Sequence, residues 1–183
     1  DNRGKFGCQI WLDTVPYDDN DKFHFTHKQY VVLLSEPRRL IIKANNQFGN
    51  WLIISAHAPG DQHDNTLRHQ WFKELNTYIG KYKNNCTRLL LIDANTTLGE
   101  ITSNSVGDCN PDPEDEIGTT FHQLLLDHNL QLPQTFTLQD DPSTSHSGNS
   151  NRRIDFIAVT RSIGDGDQHN PKEYTNREID LIT

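Results

Sequence analysis

Methionine is absent from all 183 residues, position 1 included. The chain is therefore expected either to have lost its start or to be a piece of something longer. Cysteine is scarce. Cys8, Cys86 and Cys109 make an odd number with no C-x-x-C spacing. Neither a disulfide framework nor a cysteine zinc site is implied, and a reducing, intracellular compartment is the simplest reading. Long apolar runs are lacking too, and none approaches the ~20 residues of a membrane span. Asp1-Asn2-Arg3-Gly4-Lys5 leads into only a short apolar stretch, so no secretory signal is expected. The glycosylation patterns at Asn85 and Asn95 are then read as chance. Positive charge is not in excess: 17 Lys and Arg stand against 25 Asp and Glu, a formal charge of −8. That excludes a basic protein that coats nucleic acid, but not one that meets phosphate locally or through a metal.

What remains is enough for one domain with a core of its own, although only 33% of residues are hydrophobic and mean hydropathy is −0.74. Residues 6–12 alternate apolar and polar as a strand does. Residues 30–34 and 40–42 are β-branched-rich runs around Glu36-Pro37 and read as a hairpin-like pair. Asp18 to Asp21 and Asn45 to Asn50 read as turns. Residues 51–56 are a buried-type strand ending at His57-Ala58-Pro59. Leu67, Trp71, Leu75, Tyr78 and Tyr82 share one helical face, with Asp64 or Asn65 as cap and Lys81 and Lys83 at the far end. Leu89-Leu90-Leu91-Ile92 is an unbroken apolar run, expected to be a strand buried on both faces. A second helix carries Phe121, Leu124, Leu125 and His128 on one face. A short strand is expected at 135–138, a loop from Ser143 to Asn151, a strand from Arg153 to Val159, and the start of another at 178–182. The pattern is one α/β domain without repeats.

Polar residues gather at the ends of the apolar strands. His57 ends one, Asp93 and Asn95 end another, and Asp155 sits inside a third. A strand end fixes the backbone while the side chain reaches a cleft. Asp93 and Asn95, two apart in extended chain, would point to one side. A carboxylate there holds a hard metal or orients water, and a carboxamide donates to a phosphate oxygen. His57 has the chemistry of a proton donor, and Asp155 that of a carboxylate orienting a histidine.

These stretches, in this order, resemble the endonuclease/exonuclease/phosphatase superfamily of apurinic endonucleases, pancreatic-type deoxyribonucleases and LINE-type retrotransposon endonucleases. Ile53-Ile54-Ser55-Ala56-His57-Ala58-Pro59 is similar to the family's strand ending in His or Tyr. Leu90-Leu91-Ile92-Asp93-Ala94-Asn95 is similar to its Gly-Asp-Phe-Asn strand, with Ile92 where Gly is usual. Arg153-Ile154-Asp155-Phe156-Ile157 is similar to its Arg-Ile-Asp-Tyr-Ile motif. The helix with Trp71-Phe72 stands in the family's place, and Gly7 to Leu12 is similar to a strand of retroelement-like members. The resemblance implies a four-layered α/β sandwich: two packed, mixed, mostly antiparallel sheets with helices outside, one domain over 1–183, monomeric. It implies metal-dependent hydrolysis of a phosphodiester, DNA as substrate, Mg²⁺ or Mn²⁺ as cofactor, and the rest of a polyprotein such as a reverse transcriptase as neighbour. Asp93 would orient the attacking water and hold the metal. Asn95 would touch the scissile phosphate, His57 would take the family's His or Tyr place, and Asp155 would support its last histidine. Arg152 or Arg153 would meet phosphate.

The departures from the family pattern are an early strand ending in Asn, a metal-binding Glu, and a terminal Asp-His pair, to which Ile179-Asp180-Leu181-Ile182 looks like the lead-in. Without these groups the chain is expected to be incomplete at both termini and nearly inactive alone. The other readings are a phosphoesterase of the same fold acting on lipid or inositol phosphates, a catalytically dead remnant or binding module, and an unrelated zinc hydrolase. His24 and His27 are set aside as a zinc pair for want of a third ligand, and Asp108 to Glu116 as a solvated acidic loop.

Overall fold

The computed structural model describes residues 7–12, 29–46, 49–82, 85–147 and 150–161. Strands form where β-branched and leucine-rich runs occur. β1 (Tyr30–Glu36) and β2 (Arg39–Asn46) are antiparallel around a two-residue turn at Pro37-Arg38. Proline suits that place because it has no ladder N–H to lose. β2 pairs antiparallel with β3 (Gly49–His57). β4 (Thr87–Asp93) runs parallel to β3, which demands a long crossover, and α1 (Asn65–Tyr82) supplies it. A loop then leads to α2 (Glu116–Asp127) and the short β5 (Leu130–Gln131). A ribbon of β6 (Ser145–Ser147) and β7 (Ser150–Arg152) precedes β8 (Asp155–Thr160). β8 inserts antiparallel between β4 and β5, giving the order β1-β2-β3-β4-β8-β5.

The sheet has two unlike faces. Ile41, Leu52, Ile54, Ala56, Leu90, Ile92, Phe156 and Ala158 point into one core with both helices. Phe72 of α1, Phe121 of α2 and Phe156 of β8 form a chain of tilted rings with centroids 5.6 Å apart at each step. Such contacts add to area burial and join three elements at one point. The opposite face carries a smaller cluster of Ile42, Ala44 and Ile53, against which Ile10 and Leu12 pack. This is an α/β fold with a mixed, mostly antiparallel six-stranded sheet and a second, two-stranded sheet.

Several expectations are corrected. Residues 7–12 are not a strand among the described residues: Ile10 and Leu12 find a one-sided apolar contact without ladder pairing. β4 is fully buried on one face only, since Leu90 and Ile92 are covered while Leu89 and Leu91 are half-buried. The buried stripe of α1 is Arg68, Trp71, Phe72, Leu75 and Ile79, rotated from the expected face so that Leu67 is exposed. Asp64 does cap this helix, accepting from the Thr66 N–H at 2.9 Å. Residues 133–135 are a 3₁₀ turn opened by Pro133, and no strand follows at 135–138. The expected loop at 143–151 holds the β6–β7 ribbon. The turn at Asp18 to Asp21, the His24/His27 pair, Lys83 and the strand at 178–182 lie outside the described residues.

Candidate active site

Three of the expected residues come together because three strands end on one line. His57 is the register partner of Asp93, and Asp93 is the register partner of Asp155. β3 and β4 arrive there with their C-terminal ends and β8 leaves with its first residue. Side chains alternate along a strand, so with Ala56, Ile92 and Phe156 in the helix-side core these three polar residues occupy the opposite face. The junction is tied by backbone bonds. Ala58 N–H donates to the Asp93 carbonyl at 2.8 Å, and Ala94 N–H donates to the Ile154 carbonyl at 2.7 Å. Thr144 Oγ1 accepts from both Ile154 and Asp155 N–H at 3.0 Å and so fixes where β8 begins.

The electrostatics are unlike those of a surface carboxylate. His57 Nε2 lies 3.6 Å from Asp93 Oδ2, with both side chains about one-third exposed. Burial pushes the Asp93 carboxyl above its ordinary range, and the neighbouring Asp155 charge pushes it further. His57, the Asn95 N–H and Arg38 pull the other way. A carboxylate partly desolvated beside a like charge is costly in a merely structural role and is common where chemistry is done.

No family model matches the chain, and no curated protein matches it. Solved structures do. The endonuclease domain of TRAS1, a telomere-specific non-LTR retrotransposon, aligns with 86% of this chain and 68% of that one, with a TM-score of 0.52 at 15% identity. This chain shares the fold of that domain. An endonuclease/exonuclease/phosphatase family protein from Leptotrichia buccalis overlaps 73% of this chain and 48% of that one (TM-score 0.45, 15% identity). D. rerio TDP2 complexed with single-strand DNA product overlaps 74% and 55% (TM-score 0.46, 11% identity). The chain spans about half the length of these last two.

Within this fold, Asn95 is placed differently from the sequence expectation. It is not in extended chain: its φ is 48°, in the left-handed region that asparagine tolerates. Its N–H donates to Asp93 Oδ1 at 3.1 Å, closing an Asx turn, and Nδ2 donates to the Ala58 carbonyl at 2.8 Å. Arg153 does not join the group. It is buried, and its guanidinium donates to the Pro142 and Gln134 carbonyls at 3.3 Å while its N–H donates to Asp112. Arg152 is the half-exposed one, 3.8 Å from Asp61.

Sequence reasoning missed two arginines. Arg38, in the β1–β2 turn, donates to the Ala58 carbonyl at 3.2 Å and acts electrostatically on Asp93. Nothing in its local sequence marks it. Arg68 lies under the Asn95 turn, and its signal is legible: it falls three and four residues before Trp71 and Phe72, on the buried stripe. Cys8 reaches the same sheet face, where its thiol bonds Ser55 and burial raises its pKa.

Among the described residues no three His, Cys, Asp or Glu side chains are grouped to hold a metal ion. The Asp93–Asp155 pair offers oxygen ligands, its like charge only partly offset by His57 and Arg38. That donor set fits a hard cation that keeps most of its waters, not a zinc ion needing four protein ligands.

Proposed function

We propose that residues 1–183 belong to a single domain that hydrolyses phosphodiester bonds with a divalent metal, and that it is a DNA endonuclease of the retroelement type. The alignment of His57, Asp93 and Asp155 across three adjacent strand ends carries this reading. Asp93 and Asp155 would hold Mg²⁺ or Mn²⁺. The ion would offset charge building on the phosphate. Asp93 also orients the attacking water. His57 hands a proton to the leaving oxygen from Nε2. Asn95 directs its second Nδ2 hydrogen to a non-bridging oxygen while Ala58 holds the first. Arg152 meets a neighbouring phosphate.

The partner is then nucleic acid, met locally, which the charge of −8 permits. Attachment to a longer, reverse-transcriptase-bearing polyprotein belongs to the same proposal, as does an intracellular setting. No helix among the described residues is long and apolar enough to cross a membrane.

The test is nicking of supercoiled plasmid with Mg²⁺ and with EDTA, by this chain and by the same domain expressed from the longer parent coding sequence. Mg²⁺-dependent nicking that Asp93→Ala abolishes supports the reading. Nicking that Asp93→Ala leaves intact overturns it. Phosphate release from inositol phosphates without nicking moves the substrate to the small phosphoesters of the alternative reading. Inertness of both proteins favours a binding remnant.

A further inference from the structure

We infer that Arg68 is a positioning residue that sets the Asn95 turn and, through it, the orientation of the Asp93 carboxylate. The role rests on the active-site reading above. Arg68 lies in the first turn of α1 and is 6% exposed. Its Nη2 donates to the Asn95 carbonyl at 2.6 Å, and its Nη1 donates to Asn65 Oδ1 at 3.3 Å. Asp61 Oδ1 stands 3.6 Å from Nη2 but is two-thirds exposed. The buried Nε has no hydrogen-bond partner among the described residues.

This is a poor way to stabilise a helix. A cation at a helix N-terminus faces the positive end of the dipole. Its one ion-pair partner among the described residues is solvated, so the pair adds little to stability. The neighbouring positions of the stripe are apolar, so an apolar side chain fits the helix–sheet packing. What an apolar residue cannot do is grip a carbonyl at 2.6 Å. The gripped carbonyl belongs to the one residue of the site in a left-handed conformation. That residue's N–H is in turn bonded to Asp93 Oδ1. The chain of contacts therefore runs from a helix anchored in the core, through a guanidinium, to a turn, and ends on the carboxylate. A guanidinium presents fixed donors in a plane, and an ammonium does not, so Lys is not an equivalent substitute.

The experiment compares the full chain with Arg68→Met and Arg68→Lys, by NMR at fixed pH and by single-turnover cleavage of a DNA duplex. The Asn95 amide and Asp93 carboxyl resonances should move in Arg68→Met and move less in Arg68→Lys. The thermal midpoint of Arg68→Met should fall by no more than a few degrees, the cost of leaving the Asn95 carbonyl without this donor. Cleavage should slow by about 10–100-fold in Arg68→Met with substrate binding unchanged, the usual loss when an outer-shell partner is removed, and recover in part in Arg68→Lys. Unmoved Asn95 and Asp93 resonances overturn the inference, as does a rate loss that simply tracks a fall in the midpoint across both variants. If Arg68→Met does not fold, Arg68→Lys decides by the same resonances. If neither this chain nor the domain expressed from the longer coding sequence cleaves DNA, the enzymatic reading fails, while the resonances still decide whether Arg68 positions the turn.

Discussion

Asp93 and Asp155 are directly opposed partners on the antiparallel β4–β8 pair, both on the face away from the helices. Like charges so placed destabilise a sheet. Burial first, and the Asp155 charge second, make the Asp93 carboxyl bind its proton more tightly in the folded chain than in the unfolded one. Its contribution to stability is full below the ordinary carboxyl pKa of about 3.9 and is lost as pH rises through the higher folded value. Asp93→Asn should therefore be more stable than the parent at pH 7 in EDTA, by about 2–4 °C in midpoint, the equivalent of ~1 kcal/mol in a chain of this size. The gap should narrow toward pH 3. A lower midpoint for the variant at pH 7 would count against the like-charge account.

His57 is about one-third exposed and packs no core. His57→Gln should slow cleavage by about 10²–10⁴-fold, the usual worth of a general acid, while leaving the midpoint within about ±0.5 kcal/mol. A variant that cleaves normally but melts early would make His57 structural.

Arg39 makes a different kind of prediction. It is buried, paired with Glu36 at 2.8 Å and Glu74 at 2.9 Å, and lies over the rings of Trp71 and Tyr78. It joins β2 to α1 on the helix side of the sheet, opposite the face that carries His57 and Asp93. Both glutamates are partly solvated, which lowers the cost of breaking the pairs from the full range for buried pairs. Arg39→Ala should cost about 2–4 kcal/mol in denaturant unfolding. In the folded fraction the cleavage rate should not change.

Gly118 tests packing. A Cβ at this position would lie 2.3 Å from the Thr97 carbonyl oxygen, backbone that cannot swing aside. Alanine elsewhere in a helix gains about 1 kcal/mol over glycine. Here the clash outweighs that gain, and Gly118→Ala should destabilise by about 1–3 kcal/mol net. A stabilised variant would mean that α2 does not sit this close to the loop after β4.

The apolar runs and the ordered strand-end motifs made the central strands, both helices and the trio of His57, Asp93 and Asp155 legible before any coordinates. Periodicity reports which side of a segment is apolar, and that is what it located at 51–56, 89–92 and, two residues early at its start, 153–159. It misplaced residues 7–12, because a one-sided contact needs no ladder. It missed the strand at 145–147, because a polar ribbon has no apolar alternation to show. The conformation of Asn95 was hidden for another reason: spacing counts residues, and a left-handed turn breaks the relation between count and direction. Arg153 misled because its charge suggested phosphate, whereas its partners are carbonyls brought near by loops distant in sequence.

Residues of β8 alternate between Phe156 and Ala158 on the helix side and Asp155 and Ile157 on the other. A single inserted or deleted residue in this strand would exchange the two sets at once. Phe156 would leave the ring chain with Phe72 and Phe121 as Asp155 entered it, so a slipped register would forfeit the fold together with the carboxylate. The aromatic core thus screens this stretch against length changes before cleavage is ever tested. Variation that preserves folding is confined to substitutions in β8 and to length changes in the ribbon ahead of it.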